Sequence, residues 1–435
     1  MLIPRIALAA LAGQYEVGFD KTPLLLKKTE EQLQKCGCGI IKAEDVMFDG
    51  ASVAKVINTF KKKEFDILCI CVGTWSEDHH LLDLLDYYNV PVILWAYPAI
   101  DTGSLCGVQQ ICCVLKELNR QYYYVYGQPE DTGVLTEIGI ISRAVSLSNR
   151  MKHVKIGSIG GRIKGMTEIA FDELELKDKT GVRIINLDEE ELTAAFNNTC
   201  KESAEKYWND LKSKVGKVSS GNEHGIDAIR YYFAMTHLIK EYGLEGLCIK
   251  CYPRYMGKIC LGYSILSEEG IVCGCEGDVS NTVTMKLLYE LTGKPIHNTD
   301  LLYPDNALNT ILFSHCGSGG FSIASSREDI HLGPVRLADS GVCAMFPAKT
   351  GKVTLANLVG RKGTLRLSSL VGEAIGCEME FPGNPLKVIF NTNVNEINRR
   401  IAIEGIGHHW MGGYGDVTQE LEYFCRLKDI RFIRL

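Results

Sequence analysis

An alternation that begins within the first ten residues constrains this chain more than any other feature. RIALAAL, GIIKAEDVMF, FDILCICVG and VPVILWAYP are short apolar runs, and between them lie KTPLLLKKTEEQLQKC, SVAKVINTFKKK and HLLDLLDYYN, whose apolar residues recur at helical spacing. Strands that are apolar on both faces need cover on both, and intervening helices supply it. The pattern predicts an open parallel sheet, doubly wound. Around residue 150 the pattern restarts with HVKIGSIGG and GVRIINLD, a long polar helix from about Asp188 to Lys217, a helix over GIDAIRYYFAMTHLIKEYG, and GLCIKCYP. GIVCGCEGDV, a helix over NTVTMKLLYELTG, PIHNTDLLYP and NTILFSHCG follow. From about Pro334 the texture changes to VCAMFPA, KVTLANLVG, GTLRLSSLVG, CEMEFPG and LKVIFNT, short strands divided by Gly, Pro and Asn turns. Such a run without helices suggests a barrel or sandwich. One helix, DVTQELEYFCRLKDI, and a strand RFIRL come last.

The expected fold class is therefore α/β: two doubly wound open-sheet α/β domains followed by a C-terminal β-barrel-like domain. The boundaries fall at 1–150 for an N-terminal flavodoxin-like domain, 151–328 for a central α/β domain and 329–435 for a C-terminal β-rich domain. With 435 residues, each has room for its own core. A net charge of −6, 23% charged residues and no Lys/Arg block give no footprint for nucleic acid. The apolar run near the N-terminus is short and contains Arg5, which reads as a strand entering a core and not as an export signal. No apolar run approaches the roughly 20 residues that span a bilayer. The expectation is a soluble, cytoplasmic protein without a membrane partner. The 17 cysteines are scattered through apolar stretches, as reduced buried thiols are. Cys248-Ile-Lys-Cys251 has ligand spacing but lacks the second pair of a zinc ribbon. The turn Gly157-Ser158-Ile159-Gly160-Gly161 lacks the Lys-Ser/Thr ending of a phosphate loop and the spacing of a dinucleotide fingerprint.

Chemistry gathers elsewhere. In open α/β sheets ligands bind outside the carboxyl ends of strands. After the third strand comes Gly73-Thr74-Trp75-Ser76-Glu77-Asp78, which fits a solvated loop and helix cap as well as a substrate-facing segment. Glu276 ends the apolar GIVCGC, where a carboxylate is costly to bury unless paired, protonated or bound to a cation. Asp278 reads as the cap of the following helix. Asp300 follows the next strand-like stretch and His315 ends ILFSH, so three acidic or imidazole groups fall at successive strand ends. His408-His409, read as following a strand, is flanked by glycines that permit close backbone approach. Two carboxylates with one or two imidazoles make a mixed O/N set suited to Mn2+ or a similar divalent ion.

These segments carry a resemblance. CEGDVSNTVTMKLLYELTGKPIHNTD, SHCGSGGFSIA and GHHWMGGYGDV resemble the L-fucose isomerase and L-arabinose isomerase superfamily over the middle and C-terminal thirds of the chain. The resemblance implies a metal held by Glu276, Asp300, His409 and His315. An Asp as second acid looks like the fucose branch, and the His315 position looks like the arabinose branch. It further implies an aldose–ketose isomerase acting on a pentose, 6-deoxyhexose or modified hexose through an enediol, with Glu276 and Asp300 as acid and base. A homo-oligomer, hexameric or trimer-based, is implied too, with the 75–80 segment of one subunit approaching the metal of another. His408, Lys250, Trp410 and Trp75 are candidates for substrate contact. A metal-dependent epimerase or aldolase would use the same ion and acids, and a non-catalytic sugar-binding relative would need no buried acid pair.

Overall fold

The structure is a computed structural model in which residues 2–99 and 101–435 are described. The chain divides into two compact units at Asn149/Arg150. In the first, strands β1 (Arg5–Leu11), β2 (Gly39–Met47), β3 (Ile67–Val72), β4 (Val92–Ala96) and β5 (Tyr122–Tyr126) form a parallel sheet in the order β2-β1-β3-β4-β5. That is the flavodoxin-like order, reversing between β1 and β3. Helices α1 (Thr22–Lys35), α2 (Gly50–Phe60), α3 (His79–Tyr87), α4 (Ser104–Glu117) and α5 (Thr132–Met151) alternate with the strands. Every residue of β3 is buried, as its unbroken apolar run requires. Edge strand β5 alternates buried residues with more exposed ones. Helix α2 starts at a reciprocal cap: Asp49 Oδ1 accepts from the Ser52 N–H at 2.8 Å, and Ser52 Oγ accepts from the Asp49 N–H at 3.0 Å.

The second unit begins with β6 (Lys155–Ile159), α6 (Glu173–Thr180), β7 (Arg183–Leu187), α7 (Glu189–Asn197), α8 (Lys201–Lys212) and β8 (Lys217–Val218). The helix expected from Asp188 to Lys217 is thus two helices. The break falls at Asn198-Thr199-Cys200, where the Thr199 hydroxyl donates to the Phe196 carbonyl at 2.7 Å and accepts from Arg230 Nε at 3.0 Å. Asn and Thr side chains compete with helical hydrogen bonds in this way. Next come α9 (Asn222–Tyr242), β9 (Gly246–Ile249), α10 (Cys260–Glu268), β10 (Val272–Gly274) and α11 (Val279–Thr292). Strands β10-β9-β6-β7 form a second parallel sheet.

The chain then turns antiparallel, through β11 (His297–Asp305), β12 (Thr310–Ser314), β13 (His331–Val335), β14 (Ser340–Met345), β15 (Gly351–Val359), β16 (Arg366–Ile375) and β17 (Leu386–Ile389). Helix α12 (Val394–Glu404), β18 (His409–Tyr414), α13 (Thr418–Lys428) and β19 (Arg431–Arg434) complete it. Strands β15-β18-β11-β12-β17-β16 close into a six-stranded barrel through pairing of β15 with β16, and β19 joins β16 in parallel. Strands β14-β13-β8 form a small separate sheet. The fold class is as expected: two α/β layers of parallel sheet and a C-terminal barrel. Two barrel strands, β11 and β12, come from the stretch before residue 329. Helix α11 packs against β10 of the parallel sheet and against β15 and β18 of the barrel. It is consequently buried from Val279 to Leu288, on all its faces. A continuous apolar core, with Trp208, Met235, Leu247, Phe313, Leu355 and Trp410 among its members, joins sheet, helices and barrel.

Candidate metal centre

Glu276 stands in the turn between β10 and α11. It is a non-glycine residue at φ +62, followed by Gly277 at φ +77, and the left-handed conformation costs a residue with a Cβ about 1–2 kcal/mol. Gly277 is obligatory there, because a Cβ would stand 2.0 Å from the Gly161 carbonyl oxygen. The β10 turn is thus pressed against the glycine turn after β6, and the Glu276 side chain reaches the barrel.

The other members come from three adjacent barrel strands. Asp300 lies opposite His409 across the β11–β18 pairing and opposite Ser314 across the β11–β12 pairing, and His315 follows Ser314. Side chains directly opposite on antiparallel strands share a face, so the register places Asp300 beside His409. Two expectations are corrected here. Asp300 lies within a strand and not after one, because β11 belongs to the antiparallel barrel and continues past a register shift near Leu302. His408-His409 follows a helix, since RRIAIE belongs to α12 and Gly405 is its C-cap, and His409 opens β18.

Glu276, His315 and His409 offer one ligand atom each within 4.8 Å of one another, as do Asp300, His408 and His409. His409 Nε2 is 3.0 Å from Glu276 Oε2 and 3.7 Å from Asp300 Oδ1, while His315 Nε2 is 4.0 Å from an oxygen of each acid. Both imidazoles are buried and both carboxylates partly exposed. The acids therefore form the accessible surface of the centre.

A second layer of contacts fixes His409. Its Nδ1 donates to Asp278 Oδ2 at 2.8 Å, and Asp278 also caps α11, accepting from the Asn281 N–H at 3.0 Å and from Asn281 Nδ2 at 2.6 Å. Asn357 Nδ2 donates to the His409 carbonyl at 2.8 Å. A carboxylate on the far ring nitrogen is the usual way a protein orients a ligating histidine. Half-exposed His408 sits on the rim, its Nδ1 2.9 Å from Glu168 Oε1. Glu168 has no sequence signal, lying in a single 3-10 turn, Thr167–Ile169, between β6 and α6.

Burial works against the charged form of each of these groups, and in each the neighbours win. His409 is pushed up to about 10 by its hydrogen bonds to Asp278 and Glu276 and by the Asp300 charge. His315 is pushed up to about 9 by Cys316 and Asp300. Glu276 is held below the ordinary carboxylate range by His409, His315 and His408. Asp300 Oδ1 is buried without a hydrogen-bond partner among the described residues. Protons balance acids that a cation would balance equally, and an orphaned carboxylate oxygen faces the shared point, so the donor set fits a divalent ion.

The remaining candidates are dispersed. Lys250 is the first residue past β9 and is partly buried. Trp410 is fully enclosed in the apolar core, its indole N–H unpartnered among the described residues. Trp75 belongs to the first unit, is 37% exposed and donates from Nε1 to Gln110 Oε1 at 2.8 Å. In the same unit Glu77, His79 and His80 form another close group. All 17 cysteines are free thiols, Cys248 and Cys251 among them. No helix among the described residues is long and apolar enough to cross a membrane.

No family model matches the chain. The sulfoquinovose isomerase of Priestia aryabhattai is 24% identical over 433 residues, covering 96% of each chain. That of Alkalicoccus urumqiensis is 25% identical over 83% of this chain and 84% of its own, and that of a Clostridium species 26% over 84% and 85%. Among solved structures, the arabinose-binding periplasmic component of an ABC transporter from Shewanella sp. ANA-3 is 11% identical, covers 65% of this chain and 85% of its own, and superposes with a TM-score of 0.16, too low to bear on the fold.

Proposed function

We propose that the chain is a metal-dependent aldose–ketose isomerase of the fucose/arabinose isomerase kind, acting on a sulfonated hexose such as sulfoquinovose. What supports this reading above all is the convergence of Glu276, Asp300, His315 and His409 at one partly open point, in a chain alignable with sulfoquinovose isomerases over 96% of its length. These four residues would hold the ion, Mn2+ or one of like chemistry. When bound, such an ion polarises a carbonyl and holds neighbouring sugar oxygens.

The chain's own residues move the protons. Glu276, which its imidazole neighbours hold below the ordinary carboxylate range before any ion binds, takes the proton from C2 of the aldose. The C–H electron pair becomes the C1–C2 double bond of an enediol while Asp300 relays the O2 proton to O1. The C2 carbonyl then forms, the double-bond electron pair takes the proton held by Glu276 at C1, and both carboxylates end as they began. Asp278 keeps His409 in one orientation throughout, and the Glu168–His408 pair lines the mouth.

The test is turnover. Chelator-stripped protein resupplied with Mn2+ is expected to convert sulfoquinovose to its ketose and, in D2O, to place deuterium on C1. An absence of ketose from sulfoquinovose and from a panel of pentoses and 6-deoxyhexoses would sink the proposal. Carbon–carbon cleavage or an epimeric aldose as product would replace it with the aldolase or epimerase reading.

A further inference from the structure

The carboxyl edge of the β10-β9-β6-β7 sheet carries a cation that the steps above do not use. From β6 the chain passes to β7 on one side and later to β9 on the other, and the crevice at such a reversal is where open α/β sheets take ligands. Lys250 stands at that crevice. Its backbone N–H donates to the Ile159 carbonyl at the end of β6, 3.0 Å away. Beyond it β6 runs out into Gly160 and Gly161, both at positive φ. On the other side β10 runs out into Glu276.

Register gives the direction of the side chain. Cys248 is paired with Gly274 on β10 and with Ser158 on β6, so these three share a face. A Cβ on Gly274 would meet Thr282 Oγ1 at 1.8 Å, which identifies that face as the one covered by α11. Lys250, two residues after Cys248, belongs to the same face, toward the α11 N-terminus and the acids beside it. Ile249 faces the opposite core. Neighbouring strands lie about 4.8 Å apart, so the end of β9, which Lys250 follows, stands beside the end of β10, which runs out into the Glu276 turn.

The Lys250 ammonium has no ion pair or hydrogen bond among the described residues. Two arginines of this edge are engaged: Arg254 pairs with Glu189, and Arg162 donates to the carbonyls of Ile163 and Met166. A partly buried ammonium with no counter-charge is costly to keep, and a ligand anion removes that cost.

We propose that Lys250 recognises the anionic substituent of the substrate. A sugar whose first two carbons lie at Glu276 and Asp300 carries its far carbon toward the end of β9, where the ammonium meets a sulfonate. Lysine presents a compact, mobile charge suited to a three-oxygen anion. The inference rests on the isomerase reading and adds the residue that separates sulfonated from neutral sugars.

Steady-state kinetics with sulfoquinovose and with quinovose, its neutral counterpart, test it. Lys250→Gln is expected to raise KM for sulfoquinovose about tenfold or more, the worth of one charged hydrogen bond, with kcat and the quinovose constants little changed. Lys250→Arg keeps the preference. In the unaltered protein, rising salt is expected to raise KM for sulfoquinovose and leave that for quinovose alone. An unchanged preference in Lys250→Gln, or an equal loss for both sugars, overturns the assignment. If the unaltered protein turns over neither sugar, the isomerase reading fails by itself, and calorimetry with sulfoquinovose judges Lys250: weaker binding in Lys250→Gln supports it, while equal or absent binding in both proteins overturns it.

Discussion

At the scale of single residues, the centre is a small set of acids and imidazoles that charge one another. Glu276→Gln and Asp300→Asn each remove a proton carrier while nearly preserving shape, and each is expected to lower kcat by about 100- to 10,000-fold. Metal analysis of the purified variants separates lost chemistry from a lost ion. The imidazoles predict a pH dependence. In the folded chain His409 is raised to about 10 and His315 to about 9, against an ordinary value of 6.5. Stabilisation from a raised group is complete below its unfolded value and is lost as pH rises through the folded one. The metal-free protein should therefore melt at progressively lower temperature from about pH 6.5 to pH 10. A divalent ion must displace these protons, so its affinity should rise over the same interval. A metal-free melting temperature constant between pH 7 and 10 would count against charged imidazoles at this site. These residue types were visible in the sequence, but the pairing of His409 with Asp278 was not, because 131 positions separate them.

The elements decide which of those residues meet. Helix α11 carries Asp278 at its start and is enclosed by sheet and barrel together, so one residue both caps a buried helix and orients His409. Asp278→Asn keeps much of the cap and loses the charge facing His409. The expected result is a metal affinity lower by about 10- to 100-fold with a loss of stability near 1 kcal/mol or less, read by metal titration and denaturant melts. Gly277→Ala tests the turn itself. Its Cβ would overlap the Gly161 carbonyl, and φ is +77, so both stability and turnover should fall; a fully active, fully stable variant would show that the two turns are not tightly apposed. Glu276 and His315 do follow strands, β10 and β12. Strand ends misplaced Asp300, since a carboxylate inside an antiparallel strand and one just past a parallel strand look alike in a short apolar run. They also turned α12 into a strand, because Ile397 and Ile401 sit four apart in a segment too short for periodicity to settle.

For the whole molecule, the centre belongs to the second compact unit, Arg150–Leu435, which joins a parallel sheet to a closed barrel. Metal binding should accordingly stabilise that unit, by about 2.7 kcal/mol with the ion at one hundred times its Kd. Calorimetry is expected to show a transition that climbs with Mn2+ concentration and falls back on chelation; a scan indifferent to Mn2+ would remove the metal from the proposal. The sequence by itself determined the layer pattern, because burial on two faces demands unbroken apolar runs and a half-buried edge strand such as β5 does not. It also marked the acids and histidines as misplaced in apolar surroundings unless paired. Only the tertiary structure decided that β11, β12 and β18 lie side by side in one barrel, that Glu276 crosses to them from another sheet, and that β9, which ends before Lys250, lies between β6 and β10. Those are facts of register and closure, which depend on contacts between segments as far apart as Asp300 and His409 and leave no local trace in the residues that make them.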